Sequence, residues 1–389
     1  MTLHELKCGF IPLVDAAPLV VAREMGFAED EGLDLVLLRE PSWSALRDKL
    51  ALGWVAAAHM LAPAAVAMSM GIGGIAMKLD VLSILSVNGE IVGVSRELAR
   101  KMRAGGPPLD IVDAADVGRK LLMALDRPLR IGAPFPFSMH LELIDYWLTA
   151  IGVPEEMRQV RILPPPLMAE TMAAGELDLF CVGEPWGSEA VEAGVAEIAL
   201  VGGAIWGFAP EKALAVRADW AEAEPETVRR LMRAVWRATR WLGDADNLMT
   251  AAEFLARDSY VGVSTDVVER ALTGRLIVTP EGDQAAVPRF MEFFDGAATF
   301  PWRSQAIWIA ERLARRHGVD VEAARAAARA TFRPDLYRRN LGPIGADLPG
   351  ASEKVEGSLA VRTPVATSRG MTFLGPDRFF DGAVFDFSA

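Results

Sequence analysis

Through about its first 210 residues the chain alternates short apolar runs with amphipathic stretches, and no other feature constrains its fold as much. Strand-like runs fall at Leu6–Leu13, Leu33–Arg39, Leu79–Ser86, Ile91–Ser95, Leu129–Ala133, Val160–Leu163, Leu177–Val182 and Ile198–Val201. Helical spacing lies between them at Ala17–Met25, Ser44–Leu52, Ala62–Met70, Ala114–Met123, Met139–Ala150 and Leu167–Ala174. Such alternation predicts an α/β chain with mostly parallel sheets, its elements separated by breakers such as Pro164-Pro165-Pro166. From Pro225 onward the pattern turns helical, at Glu226–Leu242, Leu248–Ala256, Thr265–Leu272, Ala285–Phe294, Gln305–His317 and Val321–Ala330. The Gly- and Pro-rich tail after Leu341 reads as a wrapping loop that ends in the apolar Phe379-Phe380 patch.

A chain of 389 residues exceeds one comfortable core, so two domains or lobes are expected. With 51% hydrophobic and 24% charged residues it buries a large interior rather than staying disordered. The net charge of −12 argues against a nucleic-acid binder, which needs a basic excess to meet phosphates. It leaves room for a small anion, because one local cation or helix end outweighs a screened distant field. The two cysteines, Cys8 and Cys181, sit in apolar runs without metal-ligand spacing, and the four histidines are scattered, so buried free thiols and no metal are expected. No apolar window is long enough for a membrane span, and the N-terminus runs into Leu6–Leu13 without a basic–apolar–cleavage pattern. A cytoplasmic protein is the expectation.

Catalytic signatures are missing: no Gly-x-Ser-x-Gly, no Walker loop, no Gly-x-Gly-x-x-Gly after a strand. No cofactor is implied, and acid pairs such as Glu155-Glu156 read as caps and solvated faces. What remains is a set of polar and aromatic groups in connecting positions. Ser42-Trp43-Ser44 follows a strand and opens a helix, leaving backbone N–H groups for an anion. Asn88-Gly89 separates two strands, Phe135-Pro136-Phe137-Ser138 and Glu184-Pro185-Trp186-Gly187 each link a strand to a helix, and Lys212 precedes the strand Ala213–Val216. Loops at strand ends are where α/β sheets bind ligands. Taken together they describe a pocket with an aromatic face, amide donors and one cation, suited to a small planar anion.

Several segments, in order along nearly the whole chain, resemble the nitrate/bicarbonate-binding proteins of ABC importers: GFIPLVDAAPLVVAREMGFAEDEGLDLVL, PSWSALRDKLALG, the GEPW turn, PEKALAVRADW, PWRSQAIWIAERL and RFFDGAVFD. The resemblance implies a periplasmic-binding-protein-like fold (type II), two α/β lobes with a ligand cleft between them and a helical C-terminal part. It divides the chain into 1–93 (lobe one), 94–212 (lobe two) and 213–389 (return to lobe one). Carried over residue by residue, the family's ligand positions fall on Trp43, on Asn88 in place of a Gln, and on Lys212. Where transport members place a His before the Phe-Pro pair this chain has Ala133-Pro134-Phe135-Pro136, so Ser138 or His140 would stand in. Ser42, Pro134, Phe135, Glu184 and Trp186 complete the expected lining, with Glu184 the acceptor that a bicarbonate O–H would need.

Within that family the unexported N-terminus points to the cytoplasmic nitrate/nitrite sensor of nitrate-assimilation operons. Such sensors hold a response-regulator-type RNA-binding antiterminator and release it when the anion binds, with no direct nucleic-acid or membrane contact. The alternative is the substrate-binding component of the importer itself. Eight arginines against four acids over Glu311–Arg339 offer a candidate partner face, although a solvated helix exterior explains them more simply.

Overall fold

The structure, a computed structural model, describes residues 3–104, 106–346, 348–367 and 369–388. Two sheets carry it. In the first, β1 (His4–Phe10) pairs in parallel with β2 (Leu33–Arg39), His4 opposite Leu33 and Phe10 opposite Arg39, and with β3 (Ala57–Leu61). β4 (Leu79–Asn88) completes this lobe before the chain crosses into the second sheet. There β5 (Glu90–Ser95), β6 (Leu129–Ala133), β7 (Arg158–Ile162), β8 (Leu179–Gly183) and β9 (Ala196–Val201) stand in the order β7-β6-β8-β5-β9. β10 (Pro210–Arg217) then returns and inserts antiparallel between β3 and β4.

Both sheets are therefore mixed, not mostly parallel as expected: β10 in one and β5 in the other run against their neighbours. The reason is the double crossing, since a strand entering the other lobe arrives from the hinge side and must run opposite to the strands already there. Every residue of β4, β3 and β8 is buried, the pattern of strands covered on both faces; β8 is apolar throughout, while β4 and β3 also bury polar residues such as Ser83, Ser86 and His59. Sheet membership sets the crossovers at Asn88-Gly89 and between Val201 and Pro210.

Two elements depart from expectation. β3 escapes the sequence pattern because Ala57-Ala58-His59 has weak strand propensity and its apolar run merges into the helix Ala62–Ser69. Ala285–Phe294 is no helix: Pro288 interrupts it, Gln284–Ala286 pairs with Arg275–Ile277, and Met291–Glu292 adds to the edge of β4. The tail after Leu341 wraps as expected, and also forms a hairpin, Thr363–Thr367 with Gly370–Leu374. Cys8 and Cys181 are buried thiols on different sheets.

The crossovers are stitched together by one residue. Asn88 donates from Nδ2 to the Gly207 carbonyl and accepts the Ala209 N–H on Oδ1, each at 3.0 Å, while its own N–H donates to the Ala209 carbonyl. Its left-handed backbone (φ 57°), a conformation that Asn tolerates, turns the chain between lobes. Gly89 must be glycine for two reasons. Its φ is 97°, and a Cβ there would meet Met291 Cε at 2.7 Å.

The lobes touch beyond the hinge. Trp186 Nε1 donates to the Pro12 carbonyl (3.2 Å), and the Val14 N–H donates to the Glu184 carbonyl (2.9 Å). From the helix Arg303–His317, Arg312 and Arg316 reach across to Glu142 and Asp145 on the lobe-two helix Met139–Ala150. The arginines between residues 311 and 339 thus largely serve internal pairs: Arg325 meets Glu311, Arg329 meets Glu353 and Arg333 meets Asp80. Among the described residues no helix is long and apolar enough to cross a membrane.

Candidate functional site

Between the lobes lies a cleft of about 410 Å³. Its lining brings together Ser42, Trp43, Pro134, Phe135 and Trp186, five residues expected from the sequence, with Glu40 and the prolines Pro164, Pro165 and Pro166. The strand-to-helix turns after β2, β6 and β8 supply the first five, so the ends of strands from both sheets face one another across the gap. A larger depression of about 740 Å³ on lobe one, around Lys78 and Arg339, lies outside this junction.

Trp43 forms part of the cleft wall, and behind it sits a nucleus of buried ionisable groups. Lys212, fully buried on β10, places Nζ 5.5 Å from the centre of the Trp43 ring, within cation–π reach. Nζ pairs with Asp15 Oδ2 at 2.8 Å and with Glu211. His59, on β3, lies 2.9 Å from Asp15 Oδ1 through Nε2, with its ring centre 6.0 Å from that of Trp43. From lobe two, His140 Nδ1 comes within 3.3 Å of Glu211 Oε1, and Glu90 stands against Glu211 at the start of β5.

Burial and charge decide the protonation of these groups. Burial alone would weaken Lys212, but Asp15 and Glu211 outweigh it and hold the ammonium well above its ordinary range. Burial would likewise raise Asp15, yet Lys212 and His59 keep it an ionised carboxylate. Glu90 is driven far above the ordinary carboxyl range, first by burial and then by the charge of Glu211. Glu211 is held below the ordinary carboxyl range, the Lys212 ammonium beside it offsetting its desolvation. His140 is pushed down to about 4, chiefly by burial, so its imidazole is neutral.

Several of these groups have unspent hydrogen-bonding capacity. Trp43 Nε1, His59 Nδ1 and both nitrogens of His140 are buried without a hydrogen bond, while His59 Nε2 faces the Asp15 carboxylate at 2.9 Å. A buried orphan of this kind costs about 1–3 kcal/mol, and a cluster of them beside a cation marks a place prepared for a ligand. Opposite, Gly183 leaves the space of a methyl group: a Cβ there would touch His140 Nε2 at 3.6 Å and Asp15 Oδ2 at 3.7 Å.

Three expected contributors do otherwise. Asn88 is not at the cleft, because both ends of its amide are bound to the second crossover. Glu184 is turned inward, Oε2 accepting the Ser188 N–H (3.0 Å) and Oε1 the Ser188 hydroxyl (2.6 Å); burial lifts its carboxyl to about 7. Ser42 lines the cleft, but its hydroxyl is the N-cap of the helix Trp43–Ala51, accepting from the Ala45 N–H at 3.2 Å. Of the two candidates to replace the family histidine, Ser138 is engaged as an N-cap and as donor to Phe135, which leaves His140.

The sequence reading missed Asp15, His59, Glu90 and Glu211. The signal available was a charged or imidazole residue inside or at the end of an apolar run, where it has no solvent to face.

Comparison with known proteins agrees with this architecture. Residues 2–256 match the NMT1-like family. The nitrate/nitrite binding protein NrtA of Synechococcus elongatus is 32% identical over 393 residues, spanning 97% of this chain and 82% of that protein. The bicarbonate-binding protein CmpA of the same organism is 26% identical over 98% of this chain and 84% of its own length. The crystal structure of the periplasmic nitrate-binding protein NrtA from Synechocystis PCC 6803 superposes with a TM-score of 0.85 at 26% identity, covering 99% of this chain and 96% of that one. The alkanesulfonate-binding protein SsuA from Xanthomonas axonopodis shares the fold alone (TM-score 0.57, 17% identity, 83% and 98% covered). With its periplasmic-binding-protein-like fold of two lobes around a cleft, the chain belongs to the NMT1-like family and is similar along nearly its whole length to nitrate- and bicarbonate-binding proteins.

Proposed function

We propose that this protein binds nitrate or nitrite between its lobes and serves as the substrate-binding component of an anion importer. One observation carries the reading: a fully buried lysine stands directly behind the Trp43 wall of the interlobe cleft, 5.5 Å from the ring centre, beside the unpartnered indole N–H. A desolvated monoanion costs several kcal/mol unless a cation and oriented donors meet it. Lys212 supplies the charge, Trp43 Nε1 and the histidines supply donors, and the indole excludes water. Glu184, the acceptor expected for a bicarbonate O–H, is spent on Ser188. The binding-protein relatives, the nitrate/nitrite binding protein NrtA of Synechococcus elongatus among them, support capture rather than turnover. Titration calorimetry against nitrate, nitrite and bicarbonate tests this: nitrate or nitrite saturates one site in the native protein, and Lys212→Met abolishes it.

A second reading, the cytoplasmic sensor that sequesters an RNA-binding antiterminator, draws on the Arg312/Arg316 lattice to Glu142 and Asp145. Those pairs tie lobe closure to the outer face of both lobes, giving a protein partner a surface that differs with occupancy. A hundredfold change in partner affinity needs roughly 2.7 kcal/mol of coupling, within the allosteric range. Fractionation of cells, with affinity of the antiterminator measured with and without nitrate, separates the two: protein outside the cytoplasm, or unchanged affinity, removes the sensor.

A further inference from the structure

The buried nucleus is short of positive charge. Lys212 faces two ionised carboxylates, Asp15 and Glu211, and an arriving monoanion adds another negative charge to the same desolvated space. Among the described residues, the groups there that could meet it by taking a proton are the imidazoles of His59 and His140, since burial pushes both Glu90 and the Cys181 thiol upward. The groups that face His140 are Glu211 at 3.3 Å and Asp15, which favour a proton on its ring, and Lys212, which opposes it. Without a ligand, desolvation wins and the ring stays neutral. An anion beside it would tip that balance, because Nε2 lacks a partner and the missing side chain of Gly183 leaves methyl-sized room next to it.

We infer that the anion enters this site together with one proton, taken from solvent and carried by the His140 imidazole between Glu211 and the ligand. The inference rests on the proposed anion site and adds its regulation. Binding then leaves the nucleus no more negative than before, and His140⁺ becomes a second cationic donor beside Lys212. Nitrate itself does not titrate near neutrality, so a pH-dependence of its binding belongs to the protein. Capture is therefore favoured on the acidic side of neutrality.

Calorimetry of the full-length protein with sodium nitrate, in phosphate and in Tris at pH 7, measures the proton directly. The expected result is uptake of about one proton per nitrate and a dissociation constant that falls up to about tenfold for each pH unit between 8 and 6. His140→Gln should bind nitrate more weakly with no buffer-dependent heat, whereas His59→Gln also weakens binding but keeps the buffer-dependent heat per nitrate bound. Nitrate binding with no buffer dependence and a flat pH profile overturns the inference while the anion site stands. Loss of the uptake in His59→Gln but not in His140→Gln overturns the assignment to His140. If no nitrate binds under any condition, the site reading fails and the inference with it. Circular dichroism and thermal melting of both variants separate loss of the proton from loss of the fold.

Discussion

Lys212 Nζ lies 2.8 Å from Asp15 Oδ2 with neither side chain open to water, so this pair belongs to the fold and to the site together. Removing one partner leaves a buried charge uncompensated, a change that costs about 3–5 kcal/mol. Lys212→Met should lower the melting temperature sharply and end anion binding. Adding Asp15→Asn removes the stranded carboxylate and should recover part of the stability but none of the binding. A double variant that binds nitrate like the native protein would show that Lys212 is only structural.

Trp43 offers a cleaner separation of ring and donor. Trp43→Phe keeps an aromatic wall but deletes the unpartnered indole N–H, whose loss costs the unliganded fold little. Nitrate affinity should drop about tenfold, or about 1.4 kcal/mol, with a nearly unchanged melting temperature. Equal affinity in calorimetry would remove the indole N–H from the donor set.

The arginines of the helix Arg303–His317 hold the lobes together on the far side of the site. Glu142 is fully buried and receives both Arg312 and Arg316. In Arg312→Ala/Arg316→Ala that carboxylate gains by moving toward water, which opening of the lobes provides. Small-angle scattering should record a larger radius of gyration than in the native protein without anion, and a return toward the compact value with nitrate. Identical scattering in both proteins would mean that the latch does not set the interlobe angle.

Glu184 gives a pH signature. Its folded-state carboxyl is raised to about 7 by burial, from an ordinary 4.5. Its contribution to stability is complete below pH 4.5 and is lost as pH rises through 7, when a buried charge must form. Glu184→Gln mimics the protonated form and can still accept the Ser188 N–H and donate to the Ser188 hydroxyl. Relative to the native protein, the variant should melt at a higher temperature at pH 8 and show little difference at pH 4.5. A constant difference across that range would exclude the titration.

Much of the fold was legible because lobe strands buried on both faces leave strongly apolar runs, uninterrupted at β8 and broken only by small or short polar residues at β4. β3 was not, since an Ala-rich strand carries no periodicity of its own and is fixed by the strands beside it. The cleft wall could be read from turn chemistry at Ser42-Trp43 and at Pro134-Phe135, where local sequence sets where the chain bends. The rest of the charged nucleus could not, because Asp15, His59, Glu90 and Glu211 come from four separate segments and meet only once both sheets are assembled. Asn88 misled for the opposite reason: an amide between two strands reads equally as ligand donor or hinge staple, and its tertiary neighbours choose.

Because Asn88 binds one crossover to the other through three hydrogen bonds, the link between lobes behaves as a flat ribbon rather than a pair of independent cords. A ribbon bends about its width and resists shear, which leaves the halves one arc to travel. Fluorophores placed at exposed Leu52 on one half and Met123 on the other should therefore report a single distance coordinate, and that number alone would read fractional occupancy.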